Sequence, residues 1–254
     1  IYQNAYVRTD SYFDNSPLAS SGLPSEQELE LLNPWKDQLP KEIFTENFVP
    51  PSTDGSGNDR TNLLKAKNIL EQEGWIIENG KLTKNGKGFT FEFLIVSPSD
   101  EKIALAYQSN LKKLGITMEV RTVDSSQYQA RLLNYDFDMI KRYWGVSLSP
   151  GNEQQFYWGS EVGKKDGSRN YAGIDSPVVD ALIKNLINAT DREELTTAIH
   201  ALDRVLLWGH YVVPLYHSNK DRIAYWNFFE YPDKIPLYGI VIESWWLNKD
   251  KQIN

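Results

Sequence analysis

The sequence predicts an α/β fold, and three observations support that prediction. Apolar segments typical of strands alternate with segments of helical periodicity between residues 89 and 143. Gly, Ser and Pro separate several of these segments. Hydrophobic residues make up 41% of the 254 residues, which suffices for a substantial core. We therefore expect a sheet with helices packed against it.

The first sixty residues show little regular pattern, because proline recurs at positions 17, 24, 34, 40, 50 and 51 and interrupts longer elements. One short helix is expected here. Ser25 is its predicted N-cap, and Glu28 stands three residues later, as in a capping box. The polar stretch from Thr53 to Asn58 predicts a turn or loop.

The next segment predicts a helix followed by a hairpin. Apolar residues at helical spacing indicate a helix from Asn62 to Glu73, and Gly74 ends it. Asn79 and Gly80 follow, a pair typical of a two-residue turn between antiparallel strands.

Residues 89–143 carry the pattern that defines the fold class. Strands are predicted at Phe89–Val96, Thr117–Val123 and Phe137–Tyr143. Helices are predicted between them, at Asp100–Leu114 and Ser125–Leu133. A strand, a helix and a second strand in this order are typical of a parallel sheet with a right-handed crossover.

The rest of the chain is helical at first and then less regular. Amphipathic helices are predicted at Pro177–Asn188 and at Asp191–Leu207, with Asp191 as the candidate N-cap of the second. Short strands are expected at Val212–Tyr216 and Asp221–Trp226. The tail from Pro232 to Leu247 is rich in proline and aromatic residues and is expected to be irregular.

Composition argues against one class of function and excludes others. The net charge is −7, which argues against nucleic acid as a partner, because phosphate binding favours a basic surface. The chain has no Cys, which excludes disulfides, thiol catalysis and Cys-ligated zinc. No stretch approaches the roughly 20 apolar residues that span a bilayer. The chain begins at Ile1 inside an aromatic segment, which we interpret as the start of a fragment whose targeting signal lies upstream.

Two sets of residues bear on catalysis or metal binding. His200, His210 and His217 lack the spacing of a metal site, so we interpret them as structural. Asp136 and Asp138 share one face of a predicted strand and could pair for acid–base chemistry in a hydrolase. The alternative, which we favour, is a solvated start of that strand. The sequence contains no Walker phosphate loop and no nucleophile elbow.

Two polar loops are candidates for ligand binding. Residues 143–153 follow a predicted buried strand and combine backbone amides, small hydroxyls and aromatic faces. Ligands of open α/β sheets lie beyond the carboxyl ends of strands, and a peptide needs paired donors and acceptors. The second loop spans residues 167–171 and contains Arg169, which could fork onto a carboxylate. Each loop could equally be an ordinary connection, and the residues alone leave this open.

Several segments, taken in order, resemble one protein family. They are Asp136-Phe137-Asp138-Met139-Ile140, Trp144, Ser168-Arg169-Asn170-Tyr171, residues 176–183, Val213-Pro214-Leu215-Tyr216-His217 and Ile223-Ala224-Tyr225. They resemble the bacterial extracellular solute-binding proteins of family 5, which serve importers of oligopeptides, dipeptides and nickel. Within that family, residues 8–13, 53–57, 147–154 and 202–214 resemble the YejA-like branch, which is linked to uptake of peptides and microcin C.

The resemblance implies a longer protein with two lobes around a cleft. Residues 9–213 would form the second lobe, of the periplasmic-binding-protein type II class, with a mixed sheet flanked by helices. Residues 1–8 would be a remnant of the first lobe, and residues 214–254 a segment that returns to it. The protein would be a periplasmic monomer without catalytic activity, cofactor or nucleic-acid partner. It would deliver a peptide or peptide-like compound to an ABC permease in the inner membrane.

Two other functions stay open beside this one. The first is a hydrolase that uses paired carboxylates. The second is a chaperone-like or adhesive surface protein, because one fold can serve unrelated functions.

One position departs from the family at the expected ligand site. The family's oligopeptide binders hold the peptide's α-amino group with an Asp three residues after the position of Trp144, where this chain has Ser147. A neutral hydroxyl cannot replace that ion pair. Glu153 could substitute, or the ligand could differ in length or terminal chemistry.

The family positions that serve ligand carboxylates fall near Asp100, Leu132 and Lys141, of which only Lys141 keeps the positive charge. Nearby cations could take over this role. The expected ligand-binding set is Ser97, Asp100, Arg131, Lys141, Arg142, Trp144, Gly145, Val146, Ser147, Leu148, Ser149, Asn152, Arg169, Asn170 and Tyr171.

Overall fold

Two compact units make up the chain: Asp10–Pro214, and Tyr2–Thr9 together with Leu215–Asn254. The computed structural model describes residues 5–57, 59–236, 239–248 and 250–251. In chain order its elements are β1 (Val7–Arg8), α1 (Glu26–Leu32), α2 (Glu42–Thr45), α3 (Arg60–Gln72), β2 (Ile76–Glu78), β3 (Lys81–Lys84), β4 (Lys87–Gly88), β5 (Thr90–Ile95), α4 (Pro98–Lys113), β6 (Thr117–Thr122), α5 (Ser125–Leu133), β7 (Met139–Ile140), α6 (Glu153–Trp158), α7 (Ser160–Gly163), α8 (Pro177–Asn188), α9 (Arg192–Trp208), β8 (Tyr216–His217), β9 (Phe229–Glu230) and β10 (Trp246–Leu247). Within the described ranges, no helix is both long and apolar enough to cross a bilayer.

Three parallel strands form the central sheet of the first unit, in the order β6-β5-β7. β5 pairs with β6 along its whole length, but with β7 only at Phe93↔Met139 and Leu94↔Ile140. α4 connects β5 to β6, and α5 connects β6 to β7. The predicted α/β class with helices flanking the sheet is therefore confirmed.

The central strand β5 is buried on both faces. Phe93 and Ile95 belong to the hydrophobic cluster that α4 covers. Leu94 points the other way and packs with Tyr128 and Leu132 of α5. Side chains alternate along a strand, so one apolar run supplies both faces and sandwiches the sheet between helices.

An antiparallel ribbon, β2-β3-β4, is separate from the central sheet. Asn79 and Gly80 have φ values of 51° and 78° and form the predicted hairpin turn. Asn85 and Gly86 repeat this pattern, at 54° and 74°, between β3 and β4. Antiparallel and parallel pairings thus occupy different sheets.

Gly115, two residues after the end of α4, fits closely against this ribbon. The N–H of Leu82 donates to the carbonyl oxygen of Gly115 at 2.8 Å. A Cβ atom on Gly115 would lie 2.7 Å from the Leu82 nitrogen, and the φ of Gly115 is 78°. Both the close approach and the left-handed backbone therefore require glycine here.

A second core surrounds α8 and α9. Its buried residues on the two helices are Val178, Val179, Leu182, Ile183, Leu186, Ala198, Ile199, Ala201, Leu202, Val205 and Leu206. Phe13 and Leu18, from the irregular segment before α1, also belong to it. Such a helix pair, apolar along one broad face of each helix, is what the helical periodicity predicted.

Asp203 of α9 is a buried carboxylate that anchors the irregular segment. It accepts hydrogen bonds from the Ser11 hydroxyl (2.8 Å) and the Tyr12 N–H (2.8 Å). It also accepts from both the N–H (2.9 Å) and the hydroxyl (2.7 Å) of Ser20. Burial raises the pKa of Asp203 above its ordinary value, and these hydrogen bonds oppose the rise.

Arg204, the next residue, pairs with Glu28 of α1 (Nε–Oε2 2.5 Å). Ser25 caps α1 as predicted, because its hydroxyl accepts from the Glu28 N–H at 3.2 Å. The predicted capping box is wrong in its second half. The Glu28 side chain turns into the protein, where it pairs with Arg204 and contacts His200.

In the second unit, β1 pairs with β8 and β9 with β10, each antiparallel. The rings of Tyr225 and Tyr231 pack on Trp245, with centroid distances of 4.9 Å and 5.2 Å. Of the predicted first-lobe remnant, residues 1–4 lie outside the described residues, as do Asn58 of the predicted loop and positions 237 and 238 of the tail.

In the last part of the chain, three predictions differ from the structure. The predicted strand at 212–216 overlaps the observed β8 (Tyr216–His217) only at Tyr216, and Pro214 has no N–H to donate to a strand partner. Residues 221–226 form no strand: the Arg222 side chain bonds the Ala5 carbonyl, and Tyr225 is held by aromatic contacts. The tail, predicted irregular, contains β10.

The third strand of the central sheet is much shorter than predicted, covering 139–140 instead of 137–143. At its start, the Asp138 carboxylate accepts from the Glu92 N–H at 2.8 Å and takes a donor that a longer strand would use. At its end, the Tyr128 hydroxyl donates to the Lys141 carbonyl at 3.2 Å. The partner strand also stops, because Pro98 begins α4.

Candidate functional site

A cavity of about 230 Å³ lies where the chain leaves β7. Because β7 ends at Ile140, the following residues belong to no regular element before α6 and can turn toward a ligand. The position agrees with the rule that ligands lie beyond the carboxyl ends of strands in α/β sheets. The cavity is lined by Arg142, Tyr143, Trp144, Gly145, Tyr157, Arg169 and Tyr171.

The short helix α6 supports one wall of the cavity. Trp158 at its end is buried and packs on Trp144, with a ring-centroid distance of 4.9 Å. The Trp158 Nε1 donates to the Gln154 side chain at 3.0 Å, which fixes the indole ring. Tyr157, one residue earlier, reaches the cavity. The Trp144 ring is therefore held by core packing on one side while it borders the cavity.

The loop at 167–171 forms another wall, and Asn170 holds it in place. Asn170 is fully buried, and its amide nitrogen donates to the carbonyls of Gly159 (3.1 Å) and Ile174 (2.8 Å). Its amide oxygen accepts from the Ile174 N–H at 2.9 Å. Asn170 thus provides hydrogen-bond partners for backbone groups around the turn, while its neighbours Arg169 and Tyr171 line the cavity.

Arg142 stands over the ring of Tyr171, with its Cζ 4.9 Å from the ring centroid. Such stacking orients the guanidinium and leaves its edge available for hydrogen bonding. Burial raises the pKa of Tyr128, which lies nearby, and both the charge of Arg142 and a side-chain hydrogen bond between the two residues oppose that rise. A positive charge therefore sits against aromatic walls.

Two buried donors at the cavity have no acceptor among the described residues. They are the Nε of Arg142 and the indole Nε1 of Trp144. Buried polar groups in folded proteins are nearly always paired, so each such exception calls for an explanation. Both residues line the cavity, which makes a bound group a natural acceptor.

The other two predicted cations are neutralised by carboxylates. Arg131 pairs with Glu92 (Nη2–Oε1 2.7 Å) and with Asp136 (Nε–Oδ2 2.9 Å). Lys141 forms a salt bridge with Asp100. Neither of these cations is among the cavity-lining residues described above.

The remaining predicted residues lie along the loop or at a helix end. Ser97 caps α4, with its hydroxyl accepting from the Ser99 N–H at 3.3 Å. The Ser147 hydroxyl accepts from the Ser149 N–H at 3.1 Å. The carbonyl of Leu148 accepts from Arg192. Val146 is exposed, and Asn152 immediately precedes α6.

Of the predicted set, the cavity therefore gathers Arg142, Trp144, Gly145, Arg169 and Tyr171. It adds two tyrosines from outside that set. Tyr143 begins the candidate loop at 143–153 and is also the last residue of the predicted strand. Tyr157 lies in the run Phe156-Tyr157-Trp158, whose aromatic density was the available signal.

A larger cavity of about 510 Å³ lies beside α8. Its described lining is Gln155, Gly159, Glu161, Val162, Asp180, Ile183, Lys184, Ile187 and Asn188. None of the predicted site residues is among them, and it does not adjoin the strand ends. We therefore take the smaller cavity as the candidate site.

The residues considered for catalysis have structural partners. Asp138 accepts a backbone N–H and Asp136 pairs with Arg131, so the two carboxylates are engaged separately. His200 contacts Glu28 and the carbonyl of Pro17. Among the described residues, no three His, Asp or Glu side chains come together as a metal site would need.

Comparison with known proteins identifies the family to which the chain is similar. Residues 2–166 match the family described as bacterial extracellular solute-binding proteins, family 5 Middle. An uncharacterized protein of Sinorhizobium fredii, y4wM, is 47% identical over 97% of this chain and 38% of its own length. In Agrobacterium fabrum, the probable peptide-binding protein YejA is 41% identical over 96% of the chain and 40% of its own length. The peptidoglycan-binding protein YepA of the same organism is 40% identical over 97% and 40%.

The chain thus spans about two fifths of the length of these curated relatives. Among solved structures, the oligopeptide-binding protein AppA of Bacillus subtilis, in complex with a nonapeptide, superimposes with a TM-score of 0.59. The match covers 88% of this chain and 45% of AppA, at 23% sequence identity. It confirms the predicted type II binding-protein fold, and the YejA relative confirms the predicted branch. The chain belongs to the bacterial extracellular solute-binding proteins of family 5.

Proposed function

We propose that this chain is part of the substrate-binding component of an ABC importer and that it helps to capture peptides or peptide-like compounds. The observation that carries the proposal is the cavity beyond β7, with aromatic walls and with hydrogen-bond donors that lack acceptors among the described residues. Such a combination suits a polar ligand with flat or apolar parts. The names of the YejA and YepA relatives, which refer to peptides and to peptidoglycan, support this class of ligand.

We further propose that residues 9–213 form the second lobe of a two-lobed protein and that residues 1–8 and 214–254 belong to the first. The division of the chain near Asp10 and near Pro214 supports this assignment. Ligand contacts to both lobes would favour a closed form over an open one, and the closed form would dock on the permease. The whole protein would act as a periplasmic monomer, and microcin C-type compounds are among its expected ligands.

The role is proposed to be binding without catalysis. Asp136 and Asp138, the carboxylates that a hydrolase would use, already serve Arg131 and the β5 backbone. Substitution of either by Asn should therefore leave peptide binding intact and cause no loss of turnover.

Native mass spectrometry of the longer, two-lobed protein purified from cells tests the main proposal. We expect small peptides to co-purify with it, and calorimetry with the same peptides should show saturable binding. This chain alone should bind them much more weakly, because it supplies only part of the cleft. Absence of any bound peptide, together with no calorimetric signal, would contradict the proposed function.

A further inference from the structure

We infer that the cavity beyond β7 binds a carboxylate group of the ligand. The inference rests on the proposed function, because it specifies the chemistry of the same ligand at the same site. It concerns one subsite, since a cavity of about 230 Å³ accommodates a group the size of one side chain rather than a whole peptide.

The charge of the lining is the first reason. Arg142 and Arg169 both border the cavity, and its described lining includes no Asp or Glu. Within the described part of the chain, neither arginine forms a salt bridge, whereas the nearby Lys141 is paired with Asp100. An ammonium group placed in this cavity would meet two guanidinium groups and be repelled, while a carboxylate would be attracted by both.

The unpaired donors are the second reason. The Arg142 Nε and the Trp144 Nε1 are buried at the cavity without a protein acceptor in the described ranges. A carboxylate has only acceptor atoms when ionised, so it can satisfy two such N–H groups at once. A ligand hydroxyl or amide could satisfy one of them but would leave the arginine charges uncompensated.

The rigidity of the walls is the third reason. Arg142 is stacked on Tyr171, and Trp144 is packed on Trp158, so these donors are held before a ligand arrives. Preorganised donors lose little side-chain entropy on binding. Aromatic walls also lower the local dielectric constant, which strengthens a charge-assisted hydrogen bond.

The test uses the two-lobed protein and a defined pool of synthetic tripeptides to pentapeptides. Each sequence is present in four matched forms, with Glu or Gln at one internal position and with a free or an amidated carboxyl terminus. Native mass spectrometry identifies which forms are retained, and calorimetry gives their affinities. We expect one acidic form to bind at least about tenfold more tightly than its neutral counterpart. Whether the Glu or the free terminus carries this preference identifies the source of the carboxylate.

Variants of the two arginines show whether these residues cause the preference for acidic peptide forms. Arg142→Gln and Arg169→Gln should each reduce the acidic preference by about tenfold or more, while the neutral peptide forms keep their affinity. Arg142→Lys should retain part of the preference, because it keeps the charge but loses the planar fork. Arg121→Gln is the matched control, since Arg121 lies on β6 with 60% of its side chain exposed and is not among the cavity-lining residues.

The outcomes separate the two proposals. If the wild-type protein retains peptides without preference for any acidic form, the carboxylate subsite is wrong and the peptide-binding function stands. If it retains no peptide at all, the proposed function fails, and the subsite with it. If Arg142→Gln lowers the melting temperature, the carboxylate subsite is still tested by Arg169→Gln, a substitution at an exposed residue, and by the four peptide forms.

Discussion

Arg204 of α9 and Glu28 of α1 form a buried ion pair, with 5% and 6% of their side chains exposed. The pair joins positions 176 residues apart in sequence. Burial by itself would raise the pKa of Glu28, but hydrogen bonds from His200 and Arg204 outweigh it and hold that pKa below its ordinary value. Glu28 is therefore ionised in the folded protein at neutral pH.

Glu28→Gln should destabilise the protein by about 3–5 kcal/mol, because it leaves the Arg204 charge buried without a counterion. The free energy of unfolding in urea, measured at pH 7, checks this. Glu30→Gln, on the same helix at an exposed position, is the control and should change stability by less than about 0.5 kcal/mol. A comparable, small loss in both variants would mean that the ion pair contributes little.

His200 should make this cluster sensitive to pH. Its hydrogen bond to Glu28 raises the pKa of His200 above the ordinary value, although burial opposes the rise. Because the folded-state pKa is the higher one, the protonated side chain stabilises the fold below the unfolded-state pKa of about 6.5. That stability is lost as the pH rises through the folded-state pKa.

We therefore expect the difference in unfolding free energy between the wild type and His200→Gln to be largest near pH 5.5 and to shrink toward about pH 8.5. Urea unfolding across this range measures it, and the comparison with the variant removes contributions from other titrating groups such as Asp203. A difference that is constant with pH would show that the proton on His200 is irrelevant to the fold.

Gly115→Ala should be more damaging than Gly86→Ala, although both glycines have a positive φ, of 78° and 74°. A left-handed alanine costs roughly 1–2 kcal/mol at either position. At Gly115 the new Cβ also meets the backbone of Leu82 at 2.7 Å, whereas no atom of the described residues lies within 4 Å at Gly86. Steric strain of this kind adds about 1–3 kcal/mol. Thermal and urea unfolding of the two variants give the difference directly, and equal losses would exclude the contact as a constraint.

Substitutions at two neighbouring aromatic residues of the candidate site should distinguish an effect on ligand binding from an effect on stability. Tyr143 is 90% exposed, so Tyr143→Ala should leave the unfolding free energy within about 0.5 kcal/mol of wild type. Trp144→Ala should cost about 2 kcal/mol or more, since its ring packs on the buried Trp158. Both variants should weaken peptide binding in calorimetry. Wild-type affinity in Tyr143→Ala would remove this residue from the site.

Local signals in the sequence predict the structure correctly where it depends on neighbours in the chain. The bounds of α5 and α8 match the prediction, Asp191 caps α9, and the Asn79-Gly80 turn forms as expected. Each of these features is decided within a few residues by capping, periodicity or backbone conformation.

Features decided by distant parts of the chain were not predictable in this way. β7 is short because Tyr128 and the end of β5 determine where pairing stops. The Glu28 side chain pairs with Arg204 of α9 instead of completing the predicted capping box. The candidate site was predicted only in part for the same reason: Tyr157 reaches the cavity from α6, and no spacing in the sequence relates it to the loop after β7.

The contacts of Asp203 have a consequence for synthesis of the protein. Ser11 and Ser20 precede Asp203 by 192 and 183 residues. At roughly 5–20 residues per second, a ribosome makes them about 10–40 s before α9 exists. Phe13 and Leu18 lack their core during that interval and present apolar surface that chaperones recognise. The segment that contains Ser11 and Ser20 is thus translated early but is among the last to fold.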